Sequence, residues 1–344
     1  MQVVARGERR SRAGSSAWPD PRSPSPALDR AVAAGPKPSE RLYGEPGVFD
    51  REPRRSTVIG AVPLSAIGLA DLTLERTDPR LLIRGAAAAG FGKVGLSLAS
   101  ATDRALDHPI LGEPATERAV RVALAETGTA VLDVEAFVLG PATRIETVRP
   151  AFELAASLGA RFVLTLGDRP RRDGRAAEPE PKVELLARMA EIAAPLGLSV
   201  GVEAMPFRDV PTWREALALA DATGAPNVGV ILDLLHFFRG GGRPEDIAAI
   251  PPGRLLYAQL ADSFGAPLPM AELPHEARHA RAPLGRGVVP IHAILDGLPE
   301  GLPLAVECPV AADAGLPAEA RALKVAGWTT ALFAARARRP SRAG

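Results

Sequence analysis

The chain has one cysteine, few aromatic residues and no apolar run long enough to span a bilayer. Cys308 alone cannot form an intrachain disulfide, which is typical of a protein from a reducing cytosol. A membrane-spanning helix needs about 20 consecutive apolar residues, and no segment of the sequence reaches that length. The formal net charge of +1 gives no electrostatic reason to expect nucleic-acid binding. These absences favour a cytoplasmic protein that binds neither a membrane nor nucleic acid.

Several common catalytic motifs are also missing. The sequence has no G-x-S-x-G, P-loop, C-x-x-C or H-E-x-x-H motif. No glycine-rich phosphate-binding turn follows the first predicted strand, which disfavours a doubly wound nucleotide-binding sheet. Cys308 directly follows Glu307, so on a strand its side chain should point away from the site and into the core.

The first 55 residues differ in composition from the rest. They are rich in Arg, Pro, Ser and Gly and show no periodic apolar pattern, so they cannot bury enough surface to offset the entropy lost on ordering. Residues 1–55 are therefore predicted to be a disordered extension, or to reflect a start codon placed too far upstream. Residues 56–338 are predicted to form one domain, and residues 339–344 a short tail.

From residue 56 the sequence alternates between strand-like and helix-like segments. The predicted strands are STVIGAVPLS, KVGLSLAS, TAVLDVEAFVL, ARFVLTLGD, LSVGVEAM, VGVILDLLH, RLLYAQLAD and LPLAVEC. Helical segments follow the strands, and glycine recurs after their last residue, as in Gly90 and Gly128. Eight such units in a chain of this length match the typical size of a closed barrel, about 250 residues. We therefore predict an α/β fold, a single (β/α)8 barrel, with an open doubly wound sheet as the alternative.

Four polar residues lie at or near the ends of the last four predicted strands: Glu203, Asp233, Gln259 and Glu307. The carboxyl ends of barrel strands meet on one face, where active sites are built. Carboxylates that converge there would repel one another unless a cation lay between them. Oxygen ligands suit Mg²⁺, Mn²⁺ or Co²⁺. The pattern predicts one divalent cation, and the alternative for any single residue is a buried salt bridge.

Further polar residues are candidates for the chemistry around the cation. His236 forms a D-x-x-H pair with Asp233 and could act as a general base near neutral pH. Guanidinium groups bind carboxylate or phosphate as a fork, although a basic loop is often merely solvated. The long loop after strand seven is interpreted as a substrate lid. The candidates for substrate binding are Arg281, Arg278, His279, Arg208 and Glu135, the last of these at the end of strand three.

Taken together, these segments resemble the xylose isomerase-like TIM-barrel superfamily. The resemblance covers roughly residues 56–335 and is strongest in GVEAMPF, ILDLLHFFRGGGRPEDIA, YAQLADS, ARHARAPLGRGVVPIHAIL and LPLAVE. It implies that the four strand-end residues bind a divalent metal, that His236 is the D-x-x-H histidine and that Arg281 is the arginine of an R-x-x-P-G-x-G loop. The loop departs from that pattern at Leu284 and Arg286. Gln259, where sugar epimerases usually carry His, is more similar to the 3-dehydroshikimate dehydratase branch.

The resemblance implies a divalent-metal-dependent isomerase or epimerase that acts on a small polyhydroxylated carbonyl compound through an enediolate. Glu203, Glu307 or His236 would take the proton. Loss of a β-hydroxyl instead would make the protein a dehydratase of the 3-dehydroshikimate or inosose type. An endonuclease IV-like hydrolase would need several histidines, and the chain has five in all. A non-catalytic metal-binding barrel and a homo-oligomeric state are left open. The arginines favour a substrate that carries a carboxylate or phosphate.

Overall fold

Eight parallel strands form a closed barrel. The computed structural model describes residues 62–102, 104–169 and 180–338 of the 344. Each strand pairs with the next along the chain, and β8 pairs with β1 to close the ring. The strands are β1 Ile67–Leu69, β2 Lys93–Ser97, β3 Ala130–Leu139, β4 Phe162–Gly167, β5 Ser199–Glu203, β6 Val228–Asp233, β7 Leu255–Leu260 and β8 Leu304–Val306. The predicted (β/α)8 barrel is confirmed.

Helices surround the barrel. Within the described residues there are nine, namely α1 Pro79–Ala89, α2 Pro114–Thr127, α3 Ile145–Ser157, α4 Glu180–Ala193, α5 Trp213–Ala222, α6 Leu234–Arg239, α7 Leu273–His279, α8 Ile291–Gly297 and α9 Ala318–Ala337. Proline occupies the first position of α1 and α2, where its missing N–H costs nothing. Gly90 and Gly128 end these helices with φ of 92° and 70°, so the predicted glycine caps are confirmed. None of the nine is long and apolar enough to cross a membrane.

The first strand lies later in the chain than the sequence indicated. The prediction placed it over residues 56–65, but β1 is Ile67–Leu69. Residues 56–61 lie outside the described part of the chain, and a short 3-10 helix, Leu64–Ala66, precedes β1. Pro63 has no N–H to donate to a strand ladder, which disfavours a strand through that position. The predicted extension 1–55 and tail 339–344 also lie outside the described residues.

The barrel interior is filled by side chains that alternate with those packed against the helices. An apolar layer of Leu132, Phe162, Leu164, Leu166, Ile231, Tyr257 and Ala305 forms its lower part. Polar residues lie on the same inward-facing positions closer to the carboxyl ends of the strands, because side chains two residues apart share a face. Gly95 makes room among them: a Cβ at this position would lie 2.9 Å from Asp133 Oδ1. The apolar layer thus supports a polar layer above it.

Candidate metal centre

The four predicted metal ligands lie side by side at the carboxyl end of the barrel. Glu203 and Asp233 are the last residues of β5 and β6, Gln259 is the penultimate residue of β7, and Glu307 directly follows β8. Asp233 is in register with Gln259. All four side chains are buried among neighbouring strands. The spacing read from the sequence therefore brings these residues to one face, as predicted for a parallel barrel.

Glu203, Asp233 and His236 form a compact set of potential ligands. Each offers one ligand atom, and these atoms lie within 4.8 Å of one another. Asp233 caps α6 by accepting a 2.8 Å hydrogen bond from the backbone N–H of His236, so the D-x-x-H spacing is fixed by the start of a helix. The Nε2 atom of His236 lies 3.9 Å from Glu203 Oε1. Burial lowers the pKa of His236 to about 4, so its imidazole is neutral at neutral pH.

Unpartnered polar atoms at this centre fit a cation. Among the described residues, Glu203 Oε1 and both polar side-chain atoms of Gln259 are buried without a hydrogen-bond partner. An unsatisfied buried polar group destabilises a protein by about 1–3 kcal/mol. Burial and the neighbouring Glu307 raise the pKa of Glu203 well above its ordinary value. Burial also raises the pKa of Glu307, to about 8. A divalent cation would be coordinated by these oxygens and would relieve the repulsion between the carboxylates of Glu203 and Glu307. The residues therefore fit the predicted metal.

Arg281 lies directly against two of the predicted ligands. Its Nη1 is 2.5 Å from Asp233 Oδ2 and its Nη2 is 3.2 Å from Glu307 Oε2. Burial alone would raise the pKa of Asp233, but Arg281 and other donors bring it below its ordinary value. The Arg281 side chain is 1% exposed. The guanidinium thus contacts the proposed metal ligands. It also borders the cavity, and its role in substrate binding stays a prediction.

The segment after β7 that delivers Arg281 is held against the barrel. Asp262 accepts backbone hydrogen bonds from Gly285 and Gly287, both at 2.9 Å, and from Val289 at 3.1 Å. Gly285 has a φ of 75°, which a side chain would strain. These bonds fix the loop that the sequence placed in the R-x-x-P-G-x-G position. The segment predicted to be a lid thus has one end fixed to the carboxyl end of β7.

A cavity of about 250 Å³ opens above the proposed centre. Glu203, Glu307 and His236 border its inner end, together with Glu135. The predicted segment TAVLDVEAFVL agrees with β3, but Glu135 lies within this strand and not at its end as predicted. The reason is that FVL, after Glu135, extends the pairing with β4. Burial and Glu307 raise the pKa of Glu135 well above its ordinary value, so a carboxyl group faces the cavity opposite the proposed ligands.

Two arginines give the cavity wall a positive charge. Arg208 and Arg278 both border the cavity, and Arg208 donates a 2.6 Å hydrogen bond to the carbonyl oxygen of Ala101. Burial and Arg278 lower the pKa of Arg208, and burial and Arg169 lower that of Arg278. Within the part of the chain that the structure describes, neither Arg208 nor Arg278 forms an ion pair with a carboxylate. Two such guanidinium groups are suited to an anionic ligand.

His279 is the one predicted site residue that the structure separates from the centre. Its Nδ1 lies 2.7 Å from Glu75 Oε2, and its side chain is 42% exposed. It borders a smaller pocket together with Thr73 and Cys308 rather than the cavity above the ligands. Cys308 itself is buried and donates from Sγ to the carbonyl oxygen of Ala282, as expected of a core cysteine.

Asp133 is a buried acid below the centre that the sequence did not single out. Tyr257 donates a 2.8 Å hydrogen bond to Asp133 Oδ2, and burial raises the pKa of Asp133 to about 7. Asp133 lies two residues before Glu135 on β3, so period-two spacing could have found it. Asp71, whose pKa burial raises to about 6, also borders the cavity and bonds to Ser97. Asp71 could not have been found, because it follows a strand that the sequence placed too early.

Comparison with known proteins agrees with this geometry. The family model described as xylose isomerase-like TIM barrel matches residues 83–332. The chain is 30% identical over 227 residues to a 3-dehydroshikimate dehydratase of Pseudomonas aeruginosa, an alignment that covers 64% of this chain and 33% of that protein. It is 28% identical over 88 residues to an inosose isomerase of Halalkalibacterium halodurans, which covers 25% of this chain and 31% of that protein. The chain thus spans about a third of the length of the curated relatives it matches.

A solved structure gives the same fold. The IolI protein with a bound zinc atom superposes with a TM-score of 0.63 at 19% identity, over 79% of this chain and 99% of that one. At this level of identity the similarity establishes the barrel fold and leaves the reaction to be argued from the site.

Proposed function

This chain belongs to the xylose isomerase-like TIM-barrel family, and from that premise we propose that it is a metal-dependent enzyme that removes a proton next to the carbonyl group of a small polyhydroxylated acid. The observation that carries the proposal is the set of unpartnered oxygens on Glu203 and Gln259 beside the neutral imidazole of His236. Loss of a β-hydroxyl as water is the outcome that best accounts for the site. The relatives named dehydratase support it.

The cation would be held by Glu203, Asp233, Gln259 and Glu307. His236 lies close to Glu203 and Asp233, and its imidazole is left for proton transfer. Oxygen ligands favour Mg²⁺, Mn²⁺ or Co²⁺, and zinc is the metal named for the IolI protein. When bound, the cation supplies Lewis-acid chemistry, since it polarises a carbonyl oxygen and stabilises the charge that forms on it.

His236 is proposed as the base. Its imidazole borders the cavity and is neutral, so Nε2 can accept the proton from the carbon next to the carbonyl. The electron pair of that C–H bond forms a C=C bond, and the C–O bond to the β-hydroxyl breaks. The imidazolium then donates its proton to the departing oxygen, so water leaves and no proton is consumed.

Arg208 and Arg278 are proposed to bind the acid group of the substrate. Both border the cavity, and neither is neutralised by a carboxylate within the described residues. A carboxylate or phosphate would pair with them and remove the cost of leaving the buried guanidinium of Arg208 and the half-buried one of Arg278 without a negative partner. A neutral sugar would leave that cost in place, so these arginines favour an anionic substrate.

An isomerase or epimerase is the second candidate. One aligned relative is named inosose isomerase, and the carboxyl group of Glu135 in the cavity wall could bind a substrate hydroxyl. In this case the proton would return to another carbon or to the other face of the same carbon, and no C–O bond would break.

The test uses the full-length protein, treated with a chelator and reloaded with Mn²⁺, Co²⁺ or Mg²⁺. Each preparation is incubated in D₂O with 3-dehydroshikimate, an inosose and a ketose, and the products are followed by proton NMR. We expect metal-dependent loss of water from the carboxylate-bearing compound. Deuterium incorporation without loss of water would instead support the isomerase. Absence of both reactions with every metal and substrate would contradict the proposal.

Two histidine variants test the role of the base. His236→Asn should abolish turnover and leave the bound metal content largely intact, because His236 is proposed to move a proton. His275→Asn, an exposed histidine on α7, is the matched control and should retain full activity. Full activity in His236→Asn would remove His236 from the mechanism.

A further inference from the structure

Arg281 is buried against two of the proposed metal ligands. Its guanidinium contacts Asp233 and Glu307 through Nη1 and Nη2. Two backbone oxygens hold it there: Nε donates to Ala277 at 2.8 Å and Nη1 donates to the Glu307 carbonyl at 3.0 Å. Arginine cannot lose its proton in a protein. The site therefore contains a fixed positive charge that does not depend on pH.

The bonds to Asp233 and Glu307 do not prevent these residues from binding a metal as well. Each ionised carboxylate has two oxygens and about four lone-pair positions. Asp233 uses one oxygen for the His236 N–H and the other for Arg281, which leaves lone pairs on both. Glu307 contacts Arg281 through one oxygen. The guanidinium and a metal ion can thus share the same carboxylates.

The formal charge of the proposed centre follows from these residues. Glu203, Asp233 and Glu307 carry three negative charges when they bind a cation, whereas Gln259 is neutral. Arg281 cancels one of the three, so the set has a charge of minus two. A divalent ion makes the centre neutral, whereas a trivalent ion leaves an uncompensated buried charge, which is costly.

We infer that Arg281 acts as a permanent monovalent cation of this centre and matches it to metal ions of charge +2. The inference rests on the metal site in the proposed function and adds a determinant of metal selectivity. Arg281 also holds Asp233 and Glu307 in place, so it is a positioning residue as well. Gln259 contributes to the same balance, because a carboxylate at that position would add a fourth negative charge.

Metal-binding calorimetry on the full-length, chelator-treated protein tests the inference. Mn²⁺ and Tb³⁺ are titrated separately, and the ratio of their affinities is compared between variants. Arg281→Met should raise the Tb³⁺ to Mn²⁺ ratio by about 10- to 100-fold, since one added unit of site charge acts more strongly on the ion of higher charge. Arg281→Lys keeps the charge and should leave the ratio close to that of the wild type, even if both ions bind more weakly.

Two further variants provide a second test of site charge and a control. Gln259→Glu adds a negative charge without removing Arg281 and should shift the ratio in the same direction as Arg281→Met. Arg278→Met removes a cavity arginine from the same segment that contacts none of the proposed ligands in the structure, and it should shift the ratio far less. If Arg281→Met fails to fold, Arg281→Gln removes the same charge, keeps a hydrogen-bond donor for the two carboxylates and should shift the ratio in the same direction.

The possible failures can be distinguished. A wild-type protein that binds no Mn²⁺ would contradict the proposed metal centre itself, and the charge role of Arg281 with it. Normal Mn²⁺ binding with an unchanged ratio in a folded Arg281→Met or Arg281→Gln variant would overturn the inference and leave the metal centre standing. Equal shifts in Arg281→Met and Arg281→Lys would show that the geometry of the side chain, rather than its charge, sets the selectivity.

Discussion

Arg239 and Glu276 form a two-bonded ion pair that connects α6 to α7. Nη2 of Arg239 lies 2.6 Å from Oε1 of Glu276, and Nε lies 2.8 Å from Oε2. The two side chains are 11% and 7% exposed. Because α6 carries His236 and α7 carries Arg278, this ion pair fixes the proposed base relative to the proposed anion-binding residue.

Glu276→Gln should therefore destabilise the protein substantially. The change leaves the buried guanidinium of Arg239 without its negative partner, and such a loss typically costs about 3–5 kcal/mol. The free energy of unfolding is measured by chemical denaturation, and hydrogen exchange over residues 263–281 should become faster. Glu272→Gln, an exposed residue just before α7, serves as the control. A loss of less than about 0.5 kcal/mol in Glu276→Gln, the range of ordinary surface substitutions, would contradict the prediction.

Most of the fold could be predicted from the sequence, because its elements are encoded locally. Apolar runs of strand length alternate with helical segments that end at glycine, as at Gly90 and Gly128. The first strand was the exception. The three residues of β1 are held by pairing with β2 and β8, and contacts so distant in sequence leave no local pattern. The VIGAVPL segment before it has a stronger strand composition but contains Pro63.

The candidate site was predicted in part. Strand ends in a parallel barrel converge, so Glu203, Asp233, Gln259 and Glu307 could be grouped from their positions alone. The contacts of Arg281 could not, because they depend on how the long segment after β7 returns to the barrel. His279 and Arg281 are only two residues apart, yet one faces Glu75 near the surface and the other is buried against Asp233. A local motif does not determine that difference.

Removal of either glutamate from the proposed centre should abolish metal binding. Glu203→Gln and Glu307→Gln each retain the shape of the side chain and lose a negative charge that a divalent cation needs. Metal content is measured by mass spectrometry, together with the rise in Tm that the metal gives the wild type. Glu126→Gln, an exposed residue on α2, should behave like the wild type. Unchanged metal content in both site variants would rule out this centre.

Residues 1–55 are predicted to be dispensable. Their composition cannot support a core. A chain that starts at Ser56 should therefore match the full-length protein in Tm and in activity. A clear fall in Tm on truncation would show that the extension packs on the barrel, and a fall in activity alone would show that it contributes to the site.

Asp133 should make the stability of the metal-free protein depend on pH. Its pKa is about 7 in the folded state, well above its ordinary value of 3.8, so the folded protein binds this proton more tightly than the unfolded chain does. Asp133 therefore lowers the free energy of unfolding progressively as the pH rises from about 4 to about 7, with no further change above that range. In Asp133→Asn the amide oxygen can still accept the hydrogen bond from Tyr257. Because the amide does not titrate, this contribution to the pH dependence should disappear.

The measurement is the difference in unfolding free energy between Asp133→Asn and the wild type. This difference should grow in favour of the variant by on the order of 2–4 kcal/mol between pH 4 and pH 7, from the size of the pKa shift. Tyr257→Phe keeps the carboxyl group and should retain a pH-dependent slope. A constant difference across this range would show that Asp133 titrates normally.

Arg278 should contribute binding energy only when the substrate carries a negative charge. It borders the cavity and forms no ion pair within the described residues, so its guanidinium can pair with a substrate carboxylate. Arg278→Ala should lower kcat/KM by about 10- to 150-fold, which corresponds to about 1.5–3 kcal/mol for a charge-assisted hydrogen bond. Arg278→Lys should restore part of the loss, because an ammonium group keeps the charge and lacks the fork. Arg286→Ala, an exposed arginine in the loop after α7, is the control.

The decisive comparison uses the carboxamide analogue of the substrate. Arg278→Ala should have little further effect on that neutral compound, since no carboxylate remains to pair with the guanidinium. An equal loss on both compounds would mean that Arg278 shapes the cavity rather than binding the anion. No loss on either would favour the isomerase acting on a neutral sugar.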